Sequence, residues 1–383
     1  MKILFLSSLC STPLLPNLSP GNARILRALR ALADCSAIIP VPLFPARNEI
    51  PAIETGLDGW PILHPRTFHI PGVARFLNAV FYTMSVAPLV RAEVARFRPD
   101  VILAPWVCPD GTAAVALGQA TGVPVVVRAM GSDINQVAHT PGRRSQVRWT
   151  LRHAGRVVAV SRALGDAIAC LGVPDEKIAV IPTGVESTIF HPHDRAAARA
   201  TLGLGPGPLV LAAARLSPEK GLMHLLAALS IHRGQFQLVV VGDGAQRREL
   251  EQEVHRRSLR GRVRFEGFQS EARMPLYYSA ADLFCLPSLA EGWPDALMES
   301  FACGCPAVAS AVGGVPDIMA LTEAGLTVPA ADPEALARAL GQALARDWDR
   351  PAIARTMADH TMAATARRYL DVCQDAISTQ VPT

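Results

Sequence analysis

Aromatic residues and net charge are both scarce in this sequence. Phe, Trp and Tyr make up 5% of 383 residues, and 37 Lys and Arg against 33 Asp and Glu leave a formal net charge of +4. No arginine-rich stripe interleaved with aromatics is present, which argues against a nucleic-acid partner. A pI near 8.7 fits anionic ligands or a mild attraction to anionic membrane surfaces. No uninterrupted apolar run reaches the roughly 20 residues of a transmembrane helix. Met1–Cys10 holds one Lys and a short apolar run, without the longer apolar region and cleavage site of a signal peptide, so a cytoplasmic chain is expected. The eight cysteines are scattered; only Cys303 and Cys305 are close, with no second pair at metal-ligand spacing. They read as ordinary thiols of a reducing compartment, with no metal site. No fixed-period repeat is visible, which excludes a solenoid.

What is present is apolar and alternating. Half of the residues are hydrophobic, and the length is comfortable for two domains. Short β-branched runs predict strands at Lys2–Ser8, Ala37–Val41, Asp100–Ala104, Pro124–Val127, Arg156–Ser161 and Lys177–Ile181. A second series follows at Leu209–Ala214, Gln237–Val241, Arg262–Phe265, Asp282–Leu286, Ala307–Ser310 and Gly325–Val328. Helix-length segments lie between them, among them Asn22–Leu32, Thr112–Thr121, Ala163–Leu171, Lys220–Ile231, Gln246–Leu259 and Pro333–Leu344. Strands apolar throughout and separated by helices predict parallel sheets covered on both faces. The alternation breaks once, at Gly184–Gly207, rich in Pro, His, Gly and Arg. The expected organisation is therefore α/β: one Rossmann-like domain over residues 1–185, a linker running towards 205, a second over 186–352, and a long or broken helix over 353–383. Two doubly wound domains facing each other make a cleft, with ligands beyond the carboxyl ends of the strands.

The richest stretch is Leu286–Ile318. It leaves a strand through Ser288, Glu291 and Gly292 and starts a helix near Pro294, where proline suits the first helical position. The N-terminus of such a helix offers free N–H groups and partial positive charge to a diphosphate. Glu291 and Glu299 flank that anion site, eight positions apart and so about 12 Å apart along the helix axis at ~1.5 Å per residue. That is too far for a glycosidase pair, which needs roughly 5–10 Å. It suits two carboxylates reading the hydroxyls on either side of a diphosphate; two solvated helix acids are the alternative. In Arg215–Gly221 (RLSPEKG), Arg215 stands at a strand end and Lys220 in a first helical turn, where a cation opposes the helix dipole unless an anion binds. The pair would neutralise two phosphates; ordinary surface charges are the other reading. In Val241–Gly244 (VGDG), Gly242 and Gly244 permit close backbone approach to a ligand. Gly267 and Phe268 end the next strand and would edge a base pocket; a simple turn and core is the other reading. In the first half, Gly131–Asn135 (GSDIN) puts Gly131, Ser132 and Asp133 towards the cleft, unless Asp133 is a helix N-cap. The loop Pro13–Gly21 leads into a helix and would close over a ligand. Arg143, Arg144, Arg148, Arg152 and Arg156 form a basic helix surface, either solvated or docked on a membrane.

Taken in order, RLSPEKG, VGDG, EGWPDALME, ACGCPAVAS and VGGVPDI, with VSRALGDAI and IPTGVESTIFHP before them, resemble family 4 of the retaining nucleotide-sugar glycosyltransferases. PVPLFP, PDVILAPWVCPDG and GSDIN resemble more specifically the transferases of bacterial exopolysaccharide and teichuronic-acid assembly. The resemblance spans nearly the whole chain and implies a GT-B fold. It implies that Arg215 and Lys220 hold the diphosphate and that Glu291 contacts the donor sugar. Gly292, Trp293, Pro294, Asp295, Ala296 and Leu297, with Ser288, line the donor site, and Glu299 binds the ribose. It also implies a C-terminal helix crossing back to the first domain, a UDP-sugar donor and a glycan or lipid-linked acceptor at the inner membrane surface. No metal and no cofactor are implied. Met130 stands where the family usually has His, Leu103 and Pro105 stand where relatives often carry His, Thr183–Glu186 replaces Asn-Gly-Val-Asp, and Gly21 is what remains of a glycine pair. Rival readings on the same fold are an epimerase, a phosphorylase, for which no pyridoxal-phosphate lysine site is seen, and a non-catalytic sugar-binding module.

Overall fold

The computed structural model describes residues 1–15, 18–43, 50–55, 59–68, 77–135, 142–232, 234 and 236–380. The chain forms two compact units: Met1–Thr183 with Met362–Thr383, and Gly184–Thr361.

Among the described residues the first unit holds the strands β1 (Lys2–Leu6), β2 (Asp34–Ile38), β3 (Val41–Pro42), β4 (Ile53–Thr55), β5 (Pro61–Leu63), β6 (Arg66–Thr67), β7 (Val101–Ala104), β8 (Val125–Ala129), β9 (Arg156–Ala159) and β10 (Ile178–Val180). Its helices are α1 (Pro20–Arg30), α2 (Asn78–Phe97), α3 (Thr112–Thr121), α4 (Ser132–Asn135), α5 (Arg144–His153) and α6 (Arg162–Ala169). The main sheet runs β10-β9-β8-β7-β1-β2-β5-β4, parallel except for β4, and β3 pairs only with β6. The expected strand Ala37–Val41 is divided there, because Pro40 has no N–H for the ladder. The period of two along the strands separates the faces. Ile3, Phe5, Val101, Leu103, Val126 and Val158 join a core with α1. On the other face α3 lies over Val125 so closely that a Cβ on Gly118 would stand 2.4 Å from a Val125 methyl.

The second unit holds β11 (Leu209–Ala213), β12 (Gln237–Val241), β13 (Val263–Gly267), β14 (Leu283–Leu286), β15 (Ala307–Ser310) and β16 (Gly325–Val328), all parallel in the order β13-β12-β11-β14-β15-β16. Its helices are α7 (Arg195–Leu202), α8 (Leu222–Ile231), α9 (Arg247–Arg256), α10 (Met274–Ala280), α11 (Asp295–Ala302), α12 (Val315–Met319), α13 (Pro333–Ala345) and α14 (Arg350–Thr356). Leucines of α8 and α13 cover one face of the sheet, and α10 and α11 contact the other.

Two boundary expectations change. The segment read as a linker contains α7, whose N-cap Asp194 accepts the Ala197 N–H at 2.7 Å. The α7 side chain of Arg199 reaches Asp282 and the carbonyls of Ala280, Gly205 and Gly207, which ties α7 into the second unit. The final segment is not one body either. Residues 353–361 stay in the second unit, where Val185 donates to the His360 carbonyl, and only α15 (Met362–Gln380) lies in the first. There α15 packs beside α1 and across β7, β8 and β9, burying Met362, Ala366, Tyr369, Cys373 and Ala376.

Burying a side chain such as Met contributes roughly 1.5–3 kcal/mol, so α15 supplies a large part of the first unit's roughly 5–15 kcal/mol margin. Deleting 362–383 is therefore expected to unfold the first unit and leave the second folded. Limited proteolysis with mass mapping checks this; equal protection of both units would contradict it.

Candidate active site

In the second sheet the strand order reverses between β11 and β14. Ligands of doubly wound sheets bind at such a reversal, beyond the carboxyl ends of the strands. The loops leaving these two strands carry Arg215 and Lys220 on one side and Ser288 and Glu291 on the other. Glycines let these loops touch backbone to backbone. A Cβ on Gly221 would stand 2.0 Å from the Pro287 carbonyl oxygen, one on Gly242 1.9 Å from that of Ala214, and one on Gly313 1.9 Å from that of Glu291. Gly244 likewise lies against Leu216. The close approach expected of Gly242 and Gly244 towards a ligand is thus made towards the protein's own loops.

Lys220 Nζ donates to Glu291 Oε1 at 2.7 Å, and the buried Ser288 hydroxyl donates to the same oxygen at 2.7 Å. The side chains of Lys220 and Glu291 are 22% and 7% exposed, so the pair is shielded and bridges β11 to β14. Lys220 does not stand in an α-helical turn as expected. It ends a 3-10 turn, Pro218–Lys220, and Gly221 at φ +64 separates it from α8. Its charge is met by a carboxylate and does not oppose the helix dipole. Arg215 donates to Glu219 Oε1 at 2.7 Å, which also accepts from Ser217.

The helix expected near Pro294 begins at Asp295, with Pro294 as its N-cap and no side-chain cap. Glu291 therefore precedes the helix, and the spacing along a helix axis does not apply to the two glutamates. Glu299 is buried in α11, where its Oε2 accepts from the Tyr278 hydroxyl at 3.0 Å. Gly292, Asp295 and Ala296 are half-buried, whereas Trp293, Pro294 and Leu297 are buried. Phe268 is 64% exposed, beside Gly267.

The first sheet reverses its order between β1 and β7. Here too a polar contact joins the two following loops: Ser8 donates its N–H and its hydroxyl to Asp110 Oδ2 at 2.8 and 3.1 Å. Asp110 is wholly buried. Burial pushes its carboxyl up to about 6, against the neighbouring Tyr82 hydroxyl and the Ser8 hydrogen bonds, which work the other way. Asp133 does not project into a cleft. It is wholly buried and accepts the backbone N–H groups of Met130, Gly131 and Ile134, while Ser132 is exposed. Burial raises its pKa, and the Gly131 and Met130 bonds oppose that. Gly21 is the second residue of α1; next to it Asn22 takes Arg128 at 2.8 Å and gives to the Leu9 carbonyl. In the loop Pro13–Gly21, Leu14 N–H is held by Glu54, itself paired with His64; residues 16 and 17 lie outside the described residues, as do 44 and 45 of PVPLFP. Of the basic surface, Arg144, Arg148 and Arg152 share an exposed stripe of α5. Arg143 precedes that helix, and Arg156 lies in β9 and donates to Thr379.

The family model of glycosyl transferases group 1 matches residues 194–358, and that of glycosyltransferase family 4 matches residues 21–188. The chain is a family 4-type glycosyltransferase. It is 28% identical to the putative teichuronic acid biosynthesis glycosyltransferase TuaC of Bacillus subtilis, over 90% of this chain and 89% of that protein. It is 29% identical to a D-inositol 3-phosphate glycosyltransferase of Xylanimonas cellulosilytica, over 87% and 85% of the two chains. Its fold is GT-B. Sucrose-phosphate synthase of Thermosynechococcus elongatus superposes with a TM-score of 0.77 at 23% identity, covering 97% of this chain and 96% of that one. Anabaena HepE in complex with UDP-glucose gives 0.69 at 24% identity, covering 99% of both.

Three polar residues of the glycosyltransferase escaped the reading of its motifs. Glu219 lies inside RLSPEKG, and Asp110 inside PDVILAPWVCPDG. Tyr82, on α2, faces Asp110, and neither its oxygen nor Asp110 Oδ1 completes a well-formed hydrogen bond among the described residues. Only the Asp-Gly before a helical run hints at the second.

Two outcomes follow from this geometry. Gly313→Ala is expected to lower the thermal midpoint of the transferase by several degrees, because the new methyl meets the Glu291 carbonyl and a positive φ adds strain. Gly59→Ala, with φ +77 and open space around it, is the control for strain alone. For Asp110, a folded pKa near 6 against the ordinary value of 3.8 means that the native state binds the extra proton between those values. Stability from this group therefore falls as pH rises from about 4 to about 6, by roughly 3 kcal/mol. Asp110→Asn should remove that slope; parallel stability–pH curves for the two proteins, measured by urea unfolding, would refute it.

Proposed function

We propose that this glycosyltransferase moves a hexose-type sugar from UDP to a glycan or lipid-linked acceptor in cell-envelope polysaccharide synthesis, with retention at the anomeric carbon and without a metal ion. The observation that carries the reading is the Lys220–Glu291 contact across the strand-order reversal, with Arg215 on the same loop as Lys220 and the uncapped start of α11 close to Glu291 in sequence. Two cations and a helix N-terminus supply the positive charge that a departing nucleoside diphosphate needs, which is the role a divalent ion plays elsewhere. Glu291 is the carboxylate for the donor sugar and Glu299 the one for the ribose, with Ser288 orienting Glu291. The C–O bond to the diphosphate breaks, the acceptor oxygen bonds to the same face of the sugar, and the leaving phosphate takes the acceptor proton. UDP is favoured by the HepE complex, which holds UDP-glucose. Polysaccharide synthesis is favoured by relatives named for teichuronic acid, amylovoran and colanic acid.

We place the protein in the cytoplasm, at the inner membrane surface. No helix among the described residues is long and apolar enough to cross a membrane. The stripe Arg144, Arg148, Arg152 offers an anionic surface about 1 kcal/mol per basic residue. Flotation with anionic liposomes should succeed at low salt and fail at high salt; no flotation at low salt leaves a soluble acceptor.

Isothermal titration of UDP in excess EDTA tests the metal-free donor site, and binding only after a divalent ion is added would refute it. Two variants separate the glutamates. Glu291→Ala removes a contact that strengthens as the sugar changes, and should lower kcat roughly ten- to a hundredfold while UDP binds as before or more tightly, since Lys220 is released. Glu299→Ala removes uniform binding and should weaken UDP by a similar factor. Equal weakening of UDP by both would show that the sugar and ribose ends are assigned wrongly.

A further inference from the structure

Both cations given to the diphosphate are already matched, one for one, by carboxylates: Lys220 by Glu291 and Arg215 by Glu219. The two matches differ in kind. Lys220–Glu291 is shielded and joins two loops. Arg215–Glu219 lies within one five-residue turn, with side chains 72% and 28% exposed. An exposed pair of this kind contributes little and parts readily. The backbone beneath it is fixed. The Glu219 carbonyl accepts the Leu289 N–H at 2.8 Å, Lys220 N–H closes the turn onto Ser217, and Gly221 abuts Pro287. Only the side chains of the pair are left to move, and Ser217 at 2.7 Å can keep the Glu219 carboxylate when Arg215 turns away. Burial pushes the Glu219 carboxyl up, but hydrogen bonds from Ser217, from its own backbone N–H and from Arg215 outweigh it and hold the pKa below its ordinary value, so the group is charged at neutral pH.

We propose that Glu219 sets how tightly the site holds a diphosphate: its carboxylate occupies Arg215 in the empty site and competes with the ligand for it. This rests on Arg215 being a diphosphate ligand. The bound anion must displace Glu219 and then lie beside its negative charge, and both effects loosen binding. A transferase gains from this at the end of the cycle, when the diphosphate product has to leave and Glu219 is at hand to take Arg215 back.

The test is isothermal titration of UDP, ADP, GDP and uridine into wild-type protein, Glu219→Gln and Glu219→Ala at low and high salt. Residue 219 lies half-exposed in a surface turn, and a thermal scan confirms that each variant is folded. Both variants are expected to bind whichever diphosphate the wild type binds about two- to tenfold more tightly at low salt, with the gain shrinking at high salt. Uridine, which carries no phosphate, should bind all three proteins alike. A merely structural residue would weaken binding when replaced. Equal or weaker diphosphate binding by the folded variants, or a parallel gain for uridine, overturns the proposal alone. No binding of any diphosphate to any of the three proteins overturns the donor reading and the proposal with it.

Discussion

The site of the second unit depends on one contact, the bridge from Lys220 to Glu291. β11 and β14 are neighbours in the sheet although β12 and β13 lie between them in sequence, and between them the winding direction changes. At such a reversal the chain leaves the two strands in opposite directions, so the two loops need something to hold them together. Three means do so here: the buried ion pair, the Leu289–Glu219 backbone bond, and glycines that permit the loops to touch. A shielded ion pair of this sort holds geometry well but offers little net stability. That suits a site whose charges must be available to a ligand.

The first unit meets the same constraint with different chemistry. Its gap between β1 and β7 is spanned by Asp110 and Ser8, an anion with neutral donors. One unit thus presents cations at its opening and the other a buried acid with a raised pKa. In the proposed reading the anionic diphosphate goes to the cations of the second unit and the hydroxyl-bearing acceptor to the first.

Much of this was legible in the sequence, for physical reasons that differ by element. β12, β15 and β16 begin and end as expected: β15 is buried throughout and β12 beyond Gln237, so their apolar runs mark them, while β16 is an edge strand with Thr327 exposed. β4 and β5 were invisible, since three-residue strands at an edge leave no periodic pattern. α7 was hidden by the His191-Pro192-His193 run before it and the Gly205-Pro206-Gly207 run after it, although Asp194 ahead of an alanine-rich run is a helix start. The motif loops showed which residues matter and not how they pair. The sequence reading gave Lys220 to phosphate and Glu291 to sugar, and their direct contact needed the crossover from β11 to β14 to appear. Asp133 was misplaced because a turn acid that binds its own backbone looks the same in sequence as one that faces a ligand.

The position of α15 has a consequence for how the molecule is made. The first unit needs this helix to close its core, yet 178 residues of the second unit, Gly184–Thr361, are synthesised in between. At roughly 5–20 residues per second a ribosome takes on the order of ten to forty seconds over that stretch. Throughout it the groove beside α1 stays uncovered on a growing chain, while the second unit has all it needs to fold. The later-made half can therefore finish first, and the nascent first half is the part that calls for a chaperone.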